Sequence, residues 1–504
     1  MIESKNSASI VTKVWSFCNT LRDDGVGYGD YLEQLTYLLF LKMADEYSKP
    51  PYSRTLPIPP AYNWGSLVDL KGAELETHYN TMLRELGKGK GILGQIFTKS
   101  QNKIQDPAKL SKIIAMIEAE QWLMMGVKDK GDIYEGLLEK NAEDTKSGAG
   151  QYFTPRALIR AMVECVRPEP MRTIADPACG TGGFFLAAYD FLTEHHQMDK
   201  EEREFLKHRT FFGNEIVAGT RRLALMNLFL HNIGDIDSDN FISPADALIA
   251  DSGARYDYVL ANPPFGKKSS QTFTNEEGEQ EKEDLTYNRQ DFWATTSNKQ
   301  LNFVQHIRTM LKATGVAAVV LPDNVLFEGG AGETVRKKLL ETTDVHTILR
   351  LPTGIFYAQG VKANVVFFDN KPSSKTPWTK EIWVYDYRTN IHHTLKKNPL
   401  KLDDLRDFIA CYNPGNRHKR TATYHPETNP EGRWRMFTYA EIIARDKTSL
   451  DITWLKDQSL ADLDNLPDPD VLALEIIENL EAGLASFREV AAGLSWAETS
   501  PASA

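Results

Sequence analysis

This 504-residue sequence predicts an α/β fold, with a mostly parallel sheet covered on both faces by helices. Two observations carry that expectation. From about residue 146, short apolar runs alternate with helical ones, and apolar strands between helices imply a parallel sheet buried on both sides. One of those strands ends in an acid and runs into a turn of small residues, DPACGTGGF (176–184). In such sheets ligands sit at the carboxyl ends of the strands.

Residues 1–145 are expected to form an N-terminal helical domain. Leu32, Leu35, Leu38, Leu39 and Met43 recur at helical spacing, and Ile113, Ile114, Met116 and Ile117 suggest a second helix. PPYSRTLPIPP (50–60) between them reads as a surface loop. No glycine loop or metal motif stands out here, so the segment reads as structural or interacting.

Residues 146–456 are expected to hold the catalytic domain. RTIAD (172–176), TFFGNEI (210–216), YDYVLAN (256–262), GVAAVVLP (315–322), HTILRLP (346–352) and ANVVFFD (363–369) read as buried strands. Thr220–His231 and Leu301–Leu311 read as helices between them. Lys267–Lys299 breaks the rhythm with NEEGEQEKED (275–284). A polar interval of that length is expected to be a mobile loop. IWVYDYR (382–388) follows, then a basic stretch that includes Lys396, Lys397, Lys401, Arg417, Lys419 and Arg420.

Residues 457–504 begin with an acidic linker, LADLDNLPDPD (460–470). Asp468 then Pro469 form a plausible helix start. Ile477, Leu480, Leu484, Phe487, Ala491 and Leu494 follow at 3–4 spacing, a short coiled-coil-like seam.

Composition bounds the function. Charged residues are 25% and hydrophobic ones 41%, ordinary for a soluble protein. The net charge is −11. It sits mostly in the tail, where ten acids face the single base Arg488. The body is nearly neutral, so this chain is expected to hold nucleic acid poorly alone and to need a partner for much of the grip. Four scattered cysteines suggest neither a disulfide framework nor a zinc site. MIESKNSASI has no apolar core, so a cytoplasmic protein without a membrane segment is expected.

The glycine turn carries the first chemistry. Gly180, Gly182 and Gly183 let the backbone approach a ligand closely. Asp176 before them would repel a pyrophosphate but suits the cationic amino and sulfonium groups of S-adenosylmethionine. Glu215, at the next strand end, suits the two ribose hydroxyls of a nucleoside. Asp246, after the expected third strand, could accept from an adenine amino group. Each acid alone reads more readily as a solvated loop residue; their order after the glycine loop favours the nucleoside.

YDYVLANPPFG (256–266) carries the second. An apolar strand ends in Asn262, Pro263, Pro264 and Phe265. The bland alternative is a plain Asn-Pro turn. The chemical reading is that the Asn262 side-chain carbonyl and the Pro263 backbone carbonyl each accept one hydrogen of an exocyclic amine. That localises its lone pair for attack on a methyl group. The prolines remove competing N–H donors, and Phe265 offers a face for a base that has left the duplex. No Pro-Cys follows a suitable strand, so a cysteine mechanism on cytosine is not expected, and Cys179 reads as a small packing residue.

GQYFTP (150–155), DPACGTGGF and NPPFG (262–266), in that order, resemble the amino-group DNA methyltransferases in which the methionine-contacting motif comes first. More narrowly, the chain resembles the modification (M) subunits of type I restriction–modification systems. LRDDGVGYGDYLEQLTYLLFLKMADE (21–46), TSNKQLNFVQHI (296–307), LPDNVLFEGGAGETVRKKLL (321–340) and ILRLPTGIFYAQGVKANVVFFD (348–369) support this.

The resemblance implies a Rossmann-like, S-adenosylmethionine-dependent fold and N6-adenine methylation of DNA. Gln151, Tyr152, Phe153, Thr154, Pro155 and Arg156 would line the cofactor pocket. Thr181, Gly182 and Gly183 would form the loop's closest approach, and Glu215 would hold the ribose. Asn262, Pro263, Pro264 and Phe265 would be catalytic, without a metal. It further implies a second M subunit, one specificity (S) subunit that reads the sequence, a restriction (R) subunit in some assemblies, and double-stranded DNA. The tail helix would pack on S. Two other readings remain open at this stage: methylation of a protein glutamine amide or of RNA by the same carbonyl geometry, and a non-catalytic assembly subunit.

Overall fold

The computed structural model describes residues 27–457 apart from 52, 121, 123–133, 140–152, 236–240, 266–269, 275–279, 285, 357–360 and 396, together with a few positions between 469 and 484.

One nine-stranded sheet organises residues 174–438. Its strands, in chain order, are β1 (Ile174–Asp176), β2 (Phe211–Asn214), β3 (Ile242–Ser243), β4 (Tyr256–Ala261), β7 (Leu311–Pro322), β8 (Thr343–Arg350), β9 (Ala363–Asn370), β10 (Glu381–Asp386) and β11 (Trp434–Thr438). The spatial order is β11-β10-β8-β9-β7-β4-β1-β2-β3. β3, β2, β1, β4 and β7 run parallel, while β9 and β11 run antiparallel to their neighbours. The sheet is therefore mostly parallel, as the apolar runs implied.

Side-chain alternation divides the core. Ile174, Leu260, Ala318, Val320 and Phe367 join one apolar cluster. Ala175, Val259, Ala261, Ala317, Val319 and Phe368 join the other. Every residue of β9 is buried, which explains why ANVVFFD shows no polar alternation.

The chain leaves β1 toward β2 and β3, then crosses back to β4 on the other side of β1. The carboxyl ends of β1 and β4 therefore part at a topological switch point, where a crevice opens. Asp176 closes β1 and Asn262 directly follows β4.

The N-terminal elements are helical. Tyr28–Ser48, Gly72–Leu86, Gly91–Phe97 and Pro107–Glu118 are the longest. Asp106 caps the last of these by accepting from Ala108 N at 2.8 Å. These helices dock on helix Ala218–Leu230, which flanks the sheet. Arg222, 5% exposed, pairs with Glu33 and donates to Ile96 O and Thr98 O. Phe40 packs on Phe229 at 5.3 Å. One apolar cluster thus runs through both parts.

Three expectations are corrected. β7 starts at Leu311 rather than near Gly315, and its register with β4 shifts between Tyr256 and Tyr258. The polar interval 267–299 is not one long loop: β5 (Ser270–Thr274) and β6 (Gln280–Asp284) form an antiparallel hairpin, and buried Tyr287 returns the chain to the body. The basic stretch is only partly free. Arg417 pairs with Asp369 at 2.5 Å, and Arg420 is buried over the rings of Tyr412 and Trp434. Lys396 lies outside the described residues.

Of the expected tail seam, Ile477, Leu480 and Leu484 are helical and 51–66% exposed. Phe487, Ala491 and Leu494 lie outside the described residues. Among the described residues, no helix is long and apolar enough to cross a membrane.

Candidate active site

The glycine turn is built from β1 outward. Asp176 Oδ1 accepts the Ala178 amide at 2.9 Å. Gly180 and Gly182 take φ of 55° and 83°, a left-handed backbone that a Cβ disfavours. Gly183 supplies space instead: a Cβ there would stand 2.1 Å from Arg156 Nη1. Helix Gly183–His195 starts here, which brings the positive end of its dipole to the cleft.

The turn is fastened from two sides. Cys179 N donates to Asn214 O at 3.0 Å, and Asn227 Nδ2 donates to Thr181 O at 3.1 Å. The Cys179 sulfur lies against Gly213, and burial pushes its thiol well up. Those are the properties of a packing cysteine rather than a nucleophile.

Glu215 follows β2 and is 6% exposed. Its Oε1 accepts from Val217 N at 2.7 Å, and the Gly180 amide also donates to the carboxylate. Burial nevertheless pushes Glu215 above its ordinary value. Asp176 is 2% exposed, and burial, with the Glu215 charge adding, pushes it up to about 8. Two buried carboxylates beside one open cleft complement a cationic ligand, whose charge would offset the cost of ionising them.

The cleft encloses about 940 Å³, its open mouth included. Phe153, Thr154, Arg156, Asp176, Gly180, Thr181, Gly183, Glu215, Asp246, Asn262 and Pro264 all line it. The tertiary structure thus gathers on one surface groups spread from 153 to 264. Pro155 instead caps helix Arg156–Val166, and Gly182 caps helix Gly183–His195. Gln151 and Tyr152 lie outside the described residues. Arg156 pairs with Glu135 at 2.6 Å and lies over the Phe153 ring.

Asn262 stands where β4 ends. Its Nδ2 donates to Thr154 Oγ1 at 2.9 Å. Its Oδ1 is buried and has no hydrogen-bond partner among the described residues. A buried carbonyl in that state is a ready acceptor. Phe265 packs edge-to-face on buried Phe356, with centroids 5.4 Å apart and an interplanar angle of 87°.

Several lining residues carried no local signal. Ile216, 55% exposed, and Val217, 39% exposed, offer an apolar wall directly after Glu215. Lys299 and Phe303 reach the cleft from helix Lys299–Met310. That helix is 123 residues downstream of Asp176 at its first residue. The sequence reads Ile216 as the end of a buried strand, whereas β2 stops at Asn214.

The chain matches the family described as N-6 DNA Methylase over residues 127–448 and the HsdM N-terminal domain over residues 10–117. It is 38% identical to the type I restriction enzyme StySJI methylase subunit of Salmonella typhimurium, covering 97% of this chain and 96% of the relative. It is also 38% identical to the EcoKI methylase subunit of Escherichia coli, with 96% and 94% covered. Among solved structures, a chain from work on complex assembly and conformational transition of the type I R-M system aligns with a TM-score of 0.71. That match has 25% identity and covers 97% of this chain and 98% of the other.

Proposed function

The chain belongs to the N-6 DNA methylases as a type I restriction enzyme methylase subunit, and on that premise we propose how its residues bind S-adenosylmethionine and methylate adenine. It is an adenine-specific DNA methyltransferase subunit. The observation that carries the site assignment is Asn262, on the wall of a cleft that also contains two buried carboxylates: its Nδ2 donates to Thr154, and its buried Oδ1 has no partner among the described residues.

S-adenosylmethionine supplies an electrophilic methyl group on a sulfonium. Asp176 and Glu215 provide the negative charge for its cationic end and for its ribose hydroxyls, respectively. Asp246 accepts from its adenine amino group. The small turn at 180–183 admits it without steric conflict. Thr154 and Arg156 complete the pocket on the methionine side.

The target adenine enters from the other end of the crevice. Asn262 Oδ1 and the Pro263 carbonyl accept the two hydrogens of its N6 amine, which localises the lone pair in the attack direction. Phe265, braced by Phe356, stacks on the base once it has left the duplex. The leaving thioether is neutral, so no acid is required at that atom, and the one proton that the methylated N6 sheds would pass to solvent.

The exposed apolar positions Ile477, Leu480 and Leu484 fit a helix that docks on a partner, which we assign to the specificity subunit. That subunit reads the target sequence, and a second copy of this chain completes the methylase. A restriction subunit joins where cleavage is needed.

The test uses the chain with its specificity subunit and labelled S-adenosylmethionine. Methyl transfer should appear on adenine in duplex DNA and fall by at least about a hundredfold in Asn262→Ala. Unchanged transfer in that variant would remove the catalytic assignment. Preferential labelling of protein glutamine or RNA in a competition assay would favour the other substrate reading.

A further inference from the structure

We infer that Tyr287 is a positioning residue that fixes the Asp246 carboxylate for recognition of the cofactor's adenine. The inference deepens the reading above and rests on Asp246 meeting the adenine amino group. Asp246 sits in an irregular loop after the two-residue strand β3, so regular structure does not set its side chain. Leu248 N donates to its Oδ1 at 2.9 Å, and Tyr287 OH donates to its Oδ2 at 3.0 Å. One donor on each oxygen fixes the plane of the carboxylate. Each oxygen keeps a further acceptor position for a ligand.

Tyr287 is built in. It is 7% exposed and packs with Leu248 and Phe303. Phe303, Asp246 and Ala247 line the cleft.

A second fastening lies two residues on. Arg289 donates to Ala247 O at 3.4 Å, Leu248 O at 3.3 Å and His306 Nδ1 at 3.1 Å. It also pairs with Asp291 at 2.6 Å and lies over Phe292 at 4.2 Å. Burial and the Arg289 charge push His306 down to about 4, so its ring stays a neutral acceptor at physiological pH. The segment that returns from the β5–β6 hairpin thus clamps the Asp246 loop at two points.

A fixed carboxylate discriminates. Adenine offers it an amino donor, whereas hypoxanthine offers a carbonyl at the same position, which faces the carboxylate with two acceptors. A carboxylate free to turn toward water would lose much of that difference. The test compares binding of S-adenosylmethionine and of its hypoxanthine analogue to the full chain by calorimetry.

The wild type should prefer the adenine form by at least about thirtyfold. Tyr287→Phe keeps the ring and should cut that preference about tenfold by weakening the adenine form, leaving the analogue nearly unchanged. Asp246→Ala should abolish the preference, and adding Tyr287→Phe to it should change the ratio no further. Equal weakening of both ligands in Tyr287→Phe would mean a merely structural role and overturn the inference. A preference that survives Asp246→Ala would instead overturn the adenine reading itself. If Tyr287→Phe does not fold, Tyr287→Met fills the volume without a hydroxyl and is expected to give the same ratio.

Discussion

Asn262 and Thr154, 108 residues apart, share a side-chain hydrogen bond of 2.9 Å from Nδ2 to Oγ1. This bond engages the NH₂ end of the Asn262 amide and leaves its carbonyl without a partner among the described residues. With the NH₂ group engaged, the carbonyl is left as the acceptor, and an amide turned the other way would present donors to an amine. Thr154 therefore does more than line a pocket.

Thr154→Val keeps the shape and removes the acceptor. Single-turnover methyl transfer at saturating cofactor and DNA should slow about tenfold to a hundredfold. Thr154→Ser should stay within a few-fold of wild type. A rate that survives in Thr154→Val but falls in Thr154→Ser would assign the effect to the Thr154 methyl contacts instead.

Asp176 makes the stability of the ligand-free chain depend on pH. Its folded-state value, about 8, lies above the unfolded value of 3.8. Between those values the folded state holds a proton that the unfolded state has released, so this group's contribution falls as pH rises. Thermal melts should show the decline across that window, and Asp176→Asn should flatten it. Binding of a cationic ligand should ionise the group. Calorimetry near pH 7, in buffers of different ionisation enthalpy, should therefore report release of up to one proton per site. Zero release would separate Asp176 from the ligand's charge.

Gly183→Ala tests the close approach at the turn. The new Cβ would lie 2.1 Å from Arg156 Nη1 and 2.9 Å from Ile159 Cδ1. Arg156 must move away from Glu135, at a cost of about 1–3 kcal/mol. Cofactor affinity should fall about tenfold or more, while the far-UV spectrum stays native. Undiminished affinity would show that the Arg156 side chain yields freely.

Legibility followed locality. β4 and β9 were readable because a strand buried on both faces is mostly apolar, and the centre of ANVVFFD is; β1, β2 and β8 were readable from shorter apolar runs. The β5–β6 hairpin was not readable: QTF and EKED lack the apolar alternation of a half-buried strand. The early start of β7 escaped because LKATG carries exposed residues across a register shift. Arg417 and Arg420 looked like a free basic stretch because sequence cannot show the carboxylate and rings that take up their charge.

The site divides the same way. Asp176, the glycine turn and Asn262-Pro263-Pro264-Phe265 are contiguous stretches whose chemistry is set by residue type and by position at a strand end. The sequence by itself determined those, together with the fold class. The tertiary structure alone decided that Thr154 meets the Asn262 amide nitrogen, that Phe356 packs on Phe265, and that Tyr287 donates to Asp246. These pairs are 108, 91 and 41 residues apart. A hydrogen bond or ring contact acts over a few ångströms, so no spacing rule along the chain encodes it. Only the order of strands in the sheet brings the partners together.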